Sequence, residues 1–221
     1  MSNAAGSPRR GFRGLLVDLE PVKRDRDFRM LWLGQLVSGL GRQVTVVALP
    51  FELWQLTHSS LSIGLLALVQ LVPILVFSLG GGAVADAVDR RRLLIVTQAL
   101  LAASSLCLAV LAYQPSPPIW AIYVVAFVAA GVGAVDQPTR SSAIPRLVPR
   151  ERVPAAIAVN WLSGQTVAVA GPVAAGLLIA VSGVATAFAF DVATFMASLI
   201  ALLLIARSRP IRRQRDRACD P

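Results

Sequence analysis

The chain has 221 residues, 56% of them hydrophobic and 15% charged, with a formal charge of +9 and a mean hydropathy of +0.67. Soluble domains are about 45–50% apolar and about 25% charged, so this composition excludes an ordinary water-soluble globule. The positive charge alone would suit nucleic acid, but the placement of the cations argues otherwise.

Chain order begins with a basic, amphipathic segment over residues 1–28. Six long apolar runs follow, at about 29–56, 61–84, 93–113, 118–139, 154–181 and 184–206, and a basic tail closes the chain at 207–221. Each run is long enough at 1.5 Å per residue to cross a hydrocarbon core of about 30 Å. Lipid satisfies no open backbone group, and the runs are too continuous for barrel strands, so helices are expected. The fold class is therefore all-α: a polytopic membrane protein of six transmembrane helices. No cleavable signal is expected, because the polar start precedes an apolar run too long for a signal core. The tail has no apolar period and is expected to be disordered.

The chain has 21 Lys and Arg residues. If the N-terminus is cytoplasmic, every one except Arg42 falls on the same side, in residues 9–29, 90–92, 140–152 and 207–217. The opposite connections, "WQLTHSSLS", "YQPSPPIW" and "VSGVAT", carry none. This is the positive-inside bias, and it expects a multi-pass protein of the cell membrane with both termini cytoplasmic. Cations distributed by topology do not form a nucleic-acid face, so no nucleic-acid partner is expected. Trp54, Tyr113 and Trp120 border the opposite connections, as interfacial aromatics do. Cys107 and Cys219 form no exported disulfide framework.

Charge recurs between helices 2 and 3, where "GGAVADAVDRRRLL" (81–94) holds Asp86, Asp89, Arg90, Arg91 and Arg92. Asp86 and Arg90 stand i,i+4, a spacing that pairs an acid with a base on one helical face. Gly80, Gly81 and Gly82 permit a close helix approach just before the acid.

The stretch resembles the signature loop of the major facilitator superfamily: a Gly, then Asp four residues later, then a basic cluster, here Gly82, Asp86, Arg90 and Arg91. Ala87 stands where a basic residue is frequent and Asp89 where Gly is frequent. "DQPTR" (136–140), "AIPRLVPRERVPAAIAVN" (143–160) and "AGPVAAGLL" (170–178) are similar to the drug- and siderophore-exporter branch of that superfamily, the enterobactin-exporter-like branch. Gly171, Pro172 and Gly176 take the places of its helix-5 packing motif, with Leu177 replacing a second Gly.

The resemblance covers residues 25–206, one six-helix half of a twelve-helix fold, with an implied three-plus-three inverted repeat. It implies proton-coupled export of a small amphipathic molecule, such as a drug or siderophore, by alternating access. The implied partners are the lipid bilayer, a small-molecule substrate, protons as coupling ion and a second six-helix half. That half is either missing from this chain or supplied by another copy, as in a homodimer; a truncated, non-transporting product is the other alternative. The signature loop, with Asp89 and Arg92 included, is the implied gate.

Within the runs, Arg42 sits roughly 18 Å from the inner end of helix 1, too deep to snorkel easily. A central charge costs at least about 2.5–3.5 kcal/mol on insertion scales, so it should face a cavity or a partner. Gly39 and Gly41 beside it are expected to loosen the helix. Glu52 and Asp191 fall near outer helix ends, where a carboxylate reaches water; both are candidates for a proton or substrate path. Asp136 and Arg140 form a second i,i+4 acid–base pair, near the inner end of helix 4. Gln35, Asn160 and Gln165 suit either a substrate wall or interhelical hydrogen bonds. The connection after helix 4, with Pro145, Pro149 and Pro154, is expected along the inner interface. The single His58, the absence of paired His or Cys ligands and the lack of a phosphate loop point to no enzyme, no metal and no cofactor.

Overall fold

The computed structural model describes residues 22, 24, 26–87 and 90–208. Six long helices fill it: α1 Arg26–Thr57, α2 Ser60–Ala87, α3 Arg90–Ala112, α4 Ile119–Leu147, α5 Val153–Ser182 and α6 Val184–Ser208, with a 3₁₀ turn at Arg150–Arg152 before α5. No strand occurs among the described residues. α2 to α6 are long and apolar enough to span a membrane by composition. α1 is 32 residues long, but Gln35, Arg42, Gln43, Thr45 and Glu52 dilute its hydropathy. A helix of that kind crosses lipid only if its polar side chains find partners inside the bundle.

The packing supplies partners for Arg42 and Thr45. α1 lies chiefly against α6 and α5, α4 chiefly against α2 and α3, and α3 against α6. Exchanging α1 with α4, α2 with α5 and α3 with α6 leaves this neighbour pattern unchanged, as a repeat of three helices requires. Apolar clusters close both ends. One joins Val44, Leu53, Leu66, Leu108, Ile122 and Phe188, and the other joins Phe28, Ile144, Val148 and Ala156. Between them lies a buried polar layer with Gln98, Ser105, Asp136, Arg140, Asp191, Thr194 and Ser198. The bundle is apolar outside, as lipid demands, with Leu61, Trp120, Val169, Val173 and Val181 all strongly exposed.

Short turns join the helices where sequence chemistry stops them. His58 takes φ 47 after α1, its N–H donates to the Trp54 carbonyl at 2.8 Å, and its ring stands edge-on to Trp54. Gly183, at φ 82, ends α5 and donates to the Ile179 carbonyl at 2.9 Å, a conformation that glycine alone adopts without strain.

Two expectations change. α4 does not stop at Thr139; it continues through Pro138 and Pro145 to Leu147, because Ile144 and Val148 bury against Phe28 and Ala156 and offset the lost backbone bonds. The connection to α5 therefore shrinks to the 3₁₀ turn and its flanks. Asp86 closes α2 and Arg90 opens α3, so they lie in different helices and not on one helical face. Asp89, most of the N-terminal segment 1–28 and most of the tail 207–221 lie outside the described residues, as do the side chains of Gly82, Asp86, Arg90 and Arg91.

The α1–α6 seam depends on Gly41, where an added Cβ would collide with Thr194 Oγ1 and Asp191 Oδ1. Gly41→Ala should destabilise the bundle by about 1–3 kcal/mol, read by thermal or denaturant unfolding in detergent. Gly64→Ala, on α2 with nothing near its Cβ, should be neutral or mildly stabilising. Equal effects of the two would contradict this packing.

Candidate functional site

Arg42 projects from the middle of α1, about 24 Å along the helix from Arg26 at 1.5 Å per residue. α1 is unbroken there, so Gly39 and Gly41 do not loosen it; they let α5 and α6 come close. The guanidinium meets Gln137 of α4. With its amide set so that Oε1 faces the guanidinium, Gln137 accepts from both terminal nitrogens of Arg42, at 2.5 and 2.8 Å. Asp136, Arg140 and Asp191 lie within electrostatic reach of Arg42.

Asp136 and Arg140 occupy one turn of α4 and pair at 2.7 Å between Oδ2 and Nε. Both are 3% exposed. Thr97 of α3 donates to the other carboxylate oxygen, Oδ1, at 2.7 Å. The terminal nitrogens of Arg140 and Oε1 of the neighbouring Gln98 have no partner among the described residues. A crevice beside this pair is lined by Gln35, Arg42, Gln98 and Phe195.

Asp191 departs from the sequence expectation. Although only about two turns into α6, it is 1% exposed, because its face of α6 turns toward α1 and α3 and away from water. Thr45 of α1 and Ser105 of α3 each donate to Oδ2 at 2.6 Å, and Oδ1 has no hydrogen-bond partner. Each buried acid thus takes a hydroxyl across one of the repeat-related seams, Asp136 across α4–α3 and Asp191 across α6–α1. Glu52 is half-buried near the end of α1 and joins neither group.

A cavity of about 330 Å³ opens between α1, α4 and α5. Gln35 and Arg42 line one wall, Asn160 and Gln165 another, so four candidates scattered over 130 residues of sequence meet in one space. Trp32, Gln43, Gln137, Trp161 and Ser163 join them. Trp32 is fixed by its indole N–H, which donates to Ser163 Oγ at 2.8 Å, while Trp161 is 64% exposed at the lip. Gly171 brings α5 against α1; a Cβ there would collide with Gln43 Cβ. Pro172 is exposed and Gly176 has open space beside it, whereas Gly171 is closely approached by α1.

The sequence reading missed Gln137, Thr45, Thr97, Ser105 and both cavity tryptophans. Hydroxyls in apolar helices usually bond their own backbone, as Ser104 does with the Leu100 carbonyl. The usable signal was Gln137 itself, a second amide one residue from a buried acid.

Comparison with known proteins follows the same lines. The profile of the transmembrane secretion effector family matches residues 18–216. The chain is 27% identical over 206 residues to the enterobactin exporter EntS of Shigella dysenteriae serotype 1, covering 91% of this chain and 48% of that protein. It is 26% identical over 195 residues to macrolide efflux protein A of Streptococcus pyogenes, covering 88% and 47%. The chain spans about half the length of the curated relatives it matches.

The buried Asp136–Arg140 pair gives a stability prediction. Asp136→Ala leaves a buried guanidinium unpaired and should cost about 3–5 kcal/mol, whereas the double change Asp136→Leu with Arg140→Leu should cost much less. Unfolding in mixed micelles measures both, and additive losses would show that the pair is not coupled.

Proposed function

Because the chain belongs to the transmembrane secretion effector family of the major facilitator superfamily, we propose that it forms one six-helix half of a secondary transporter exporting a small amphipathic molecule. The observation that carries this reading is the convergence of Gln35, Arg42, Asn160 and Gln165 on one cavity of about 330 Å³. Small-molecule sites run from about 300 to 1,000 Å³, so this wall suits a drug- or siderophore-sized solute if a second unit provides the opposite one. The names of the relatives, an enterobactin exporter and a macrolide efflux protein, agree with a solute of that size class.

The second six-helix unit is either a continuation of the same protein or another copy of this chain. Its seat is the exposed apolar surface of α2 and α5, which carries Leu68, Val72 and Leu75 on one helix and Val169, Val173 and Leu177 on the other. α2 packs on α4, and α5 packs on α1, so a unit docked there closes over the cavity. Both termini are cytoplasmic in this reading, by the positive-inside bias. The α2–α3 connection then lies at the cytoplasmic face, where Asp86, Asp89 and Arg90 to Arg92 act as a latch that breaks and remakes ion pairs as the halves rock.

Export draws on an ion gradient, with protons as the exchanging ion and the carboxylates of the polar layer as carriers. Asp191 and Asp136 are the acids of that layer, with Glu52 near the end of α1 a further candidate; Arg42 and Arg140 set the layer's charge balance. No enzymatic step is needed, since transport changes the position of the solute and not its bonds.

In vesicles carrying the assembled transporter, Asp86→Asn should slow export while leaving membrane insertion intact, and Arg42→Gln should lower it by about tenfold or more. A protonophore should stop export. Unaltered rates for Asp86→Asn would remove the latch, and protonophore-resistant flux would remove proton coupling.

A further inference from the structure

We propose that the α1–α4–α5 cavity recognises anionic, oxygen-rich aromatic solutes through Arg42 and discriminates against lipophilic cations. This inference rests on the reading of that cavity as the solute site.

Among the described residues, the only direct partner of Arg42, a cation in the wall of the cavity, is a dipole. With the Gln137 amide set so that Oε1 faces the guanidinium, both of its terminal nitrogens donate to that oxygen, and no carboxylate lies within ion-pair distance among the described residues. The two nearby acids are already engaged. Asp136 accepts from Arg140 on one oxygen and Thr97 on the other, and Asp191 accepts from Thr45 and Ser105 while its second oxygen lies against Gly41. Asp136 and Asp191 act on Arg42 only at a distance, so the guanidinium has no directly bonded carboxylate, and a bound anion would supply that contact, strongly so where the dielectric is low.

The rest of the lining agrees. No Asp or Glu lines the cavity among the described residues, so no formal negative charge in this wall attracts a cation; the amide oxygens and the faces of Trp32 and Trp161 offer it dipoles and quadrupoles alone. Attraction of a cation to an indole at an exposed lip is weaker than repulsion from a guanidinium in the interior. Asn160 and Gln165 offer donors and acceptors suited to solute hydroxyls. Indole faces, a guanidinium and amide acceptors together describe an aromatic ring bearing an acid and hydroxyl groups.

The test uses the full chain in zwitterionic lipid nanodiscs, with two probes of one ring: 2-naphthoate and 2-naphthyltrimethylammonium. Calorimetric titration should show the carboxylate binding at least about tenfold more tightly. Arg42→Gln should erase that preference. Arg29→Gln, which removes an exposed charge on the same helix, should leave it. If Arg42→Gln does not fold, Arg42→Lys keeps the charge and should retain the preference with weaker carboxylate binding, because it loses the planar fork. Equal or tighter binding of the ammonium probe, a preference surviving Arg42→Gln, or binding of neither probe would overturn the inference. A cationic preference would leave export standing, whereas the absence of gradient-driven flux in assembled vesicles would remove export without reversing the binding order.

Discussion

A helix crossing lipid can keep a polar side chain only where another helix answers it, and α1 is where this bundle meets that demand. Along α1, Thr45 donates to Asp191 of α6 at 2.6 Å, Arg42 meets Gln137 of α4, and Trp32 donates to Ser163 Oγ of α5 at 2.8 Å. α6, α4 and α5 are thereby held to a single helix by three different polar contacts. Unmet, each would cost several kcal/mol in hydrocarbon. Small residues let the contacts form: Gly41 admits α6 and Gly171 admits α5.

The polar layer that results contains two cations and two acids, Arg42 and Arg140 with Asp136 and Asp191, so it is formally neutral. Its members are not equivalently paired. Arg140 pairs with Asp136 through Nε alone, and its terminal nitrogens have no partner among the described residues; Asp191 is answered by hydroxyls, and Arg42 is answered by an amide. Hydroxyls and amides exchange partners at smaller cost than tight ion pairs do, which would permit such a layer a second arrangement. Alternating access needs such an element, and the apolar clusters at either end of the bundle give it rigid ends to work between. In the proposed transporter, solute, coupling ion and layer would bias one another through Arg42, the group that faces both the cavity and the crevice beside Asp136 and Arg140.

The helical membrane architecture was legible in the sequence because lipid leaves few options: long apolar runs, cations between them and turn residues at the breaks. Helix 4 was misjudged where that logic weakens. Pro138 and Pro145 look like stops, yet the burial of Ile144 and Val148 against Phe28 and Ala156 carries the helix on to Leu147. Asp136 and Arg140 were readable from spacing alone, since i,i+4 is a local relation. Asp191 was not, because depth along a helix can be counted in sequence whereas the direction a side chain faces depends on packing against α1 and α3. Gln35, Arg42, Asn160 and Gln165 could be singled out one by one, but only the approach of α5 to α1 at Gly171 shows that they share a space.

Everything proposed for this chain requires the α1–α4–α5 cavity to be wet while the outer faces of the bundle are in lipid. With the two native cysteines replaced by serine, the direct measurement is labelling by a water-soluble, membrane-impermeant thiol reagent in intact membranes opened to both sides. The account predicts rapid labelling of Gln35→Cys, Asn160→Cys and Gln165→Cys, and protection of Leu106→Cys and Val110→Cys on the exposed face of α3. Protection of the first three, or equal labelling of all five, would contradict it.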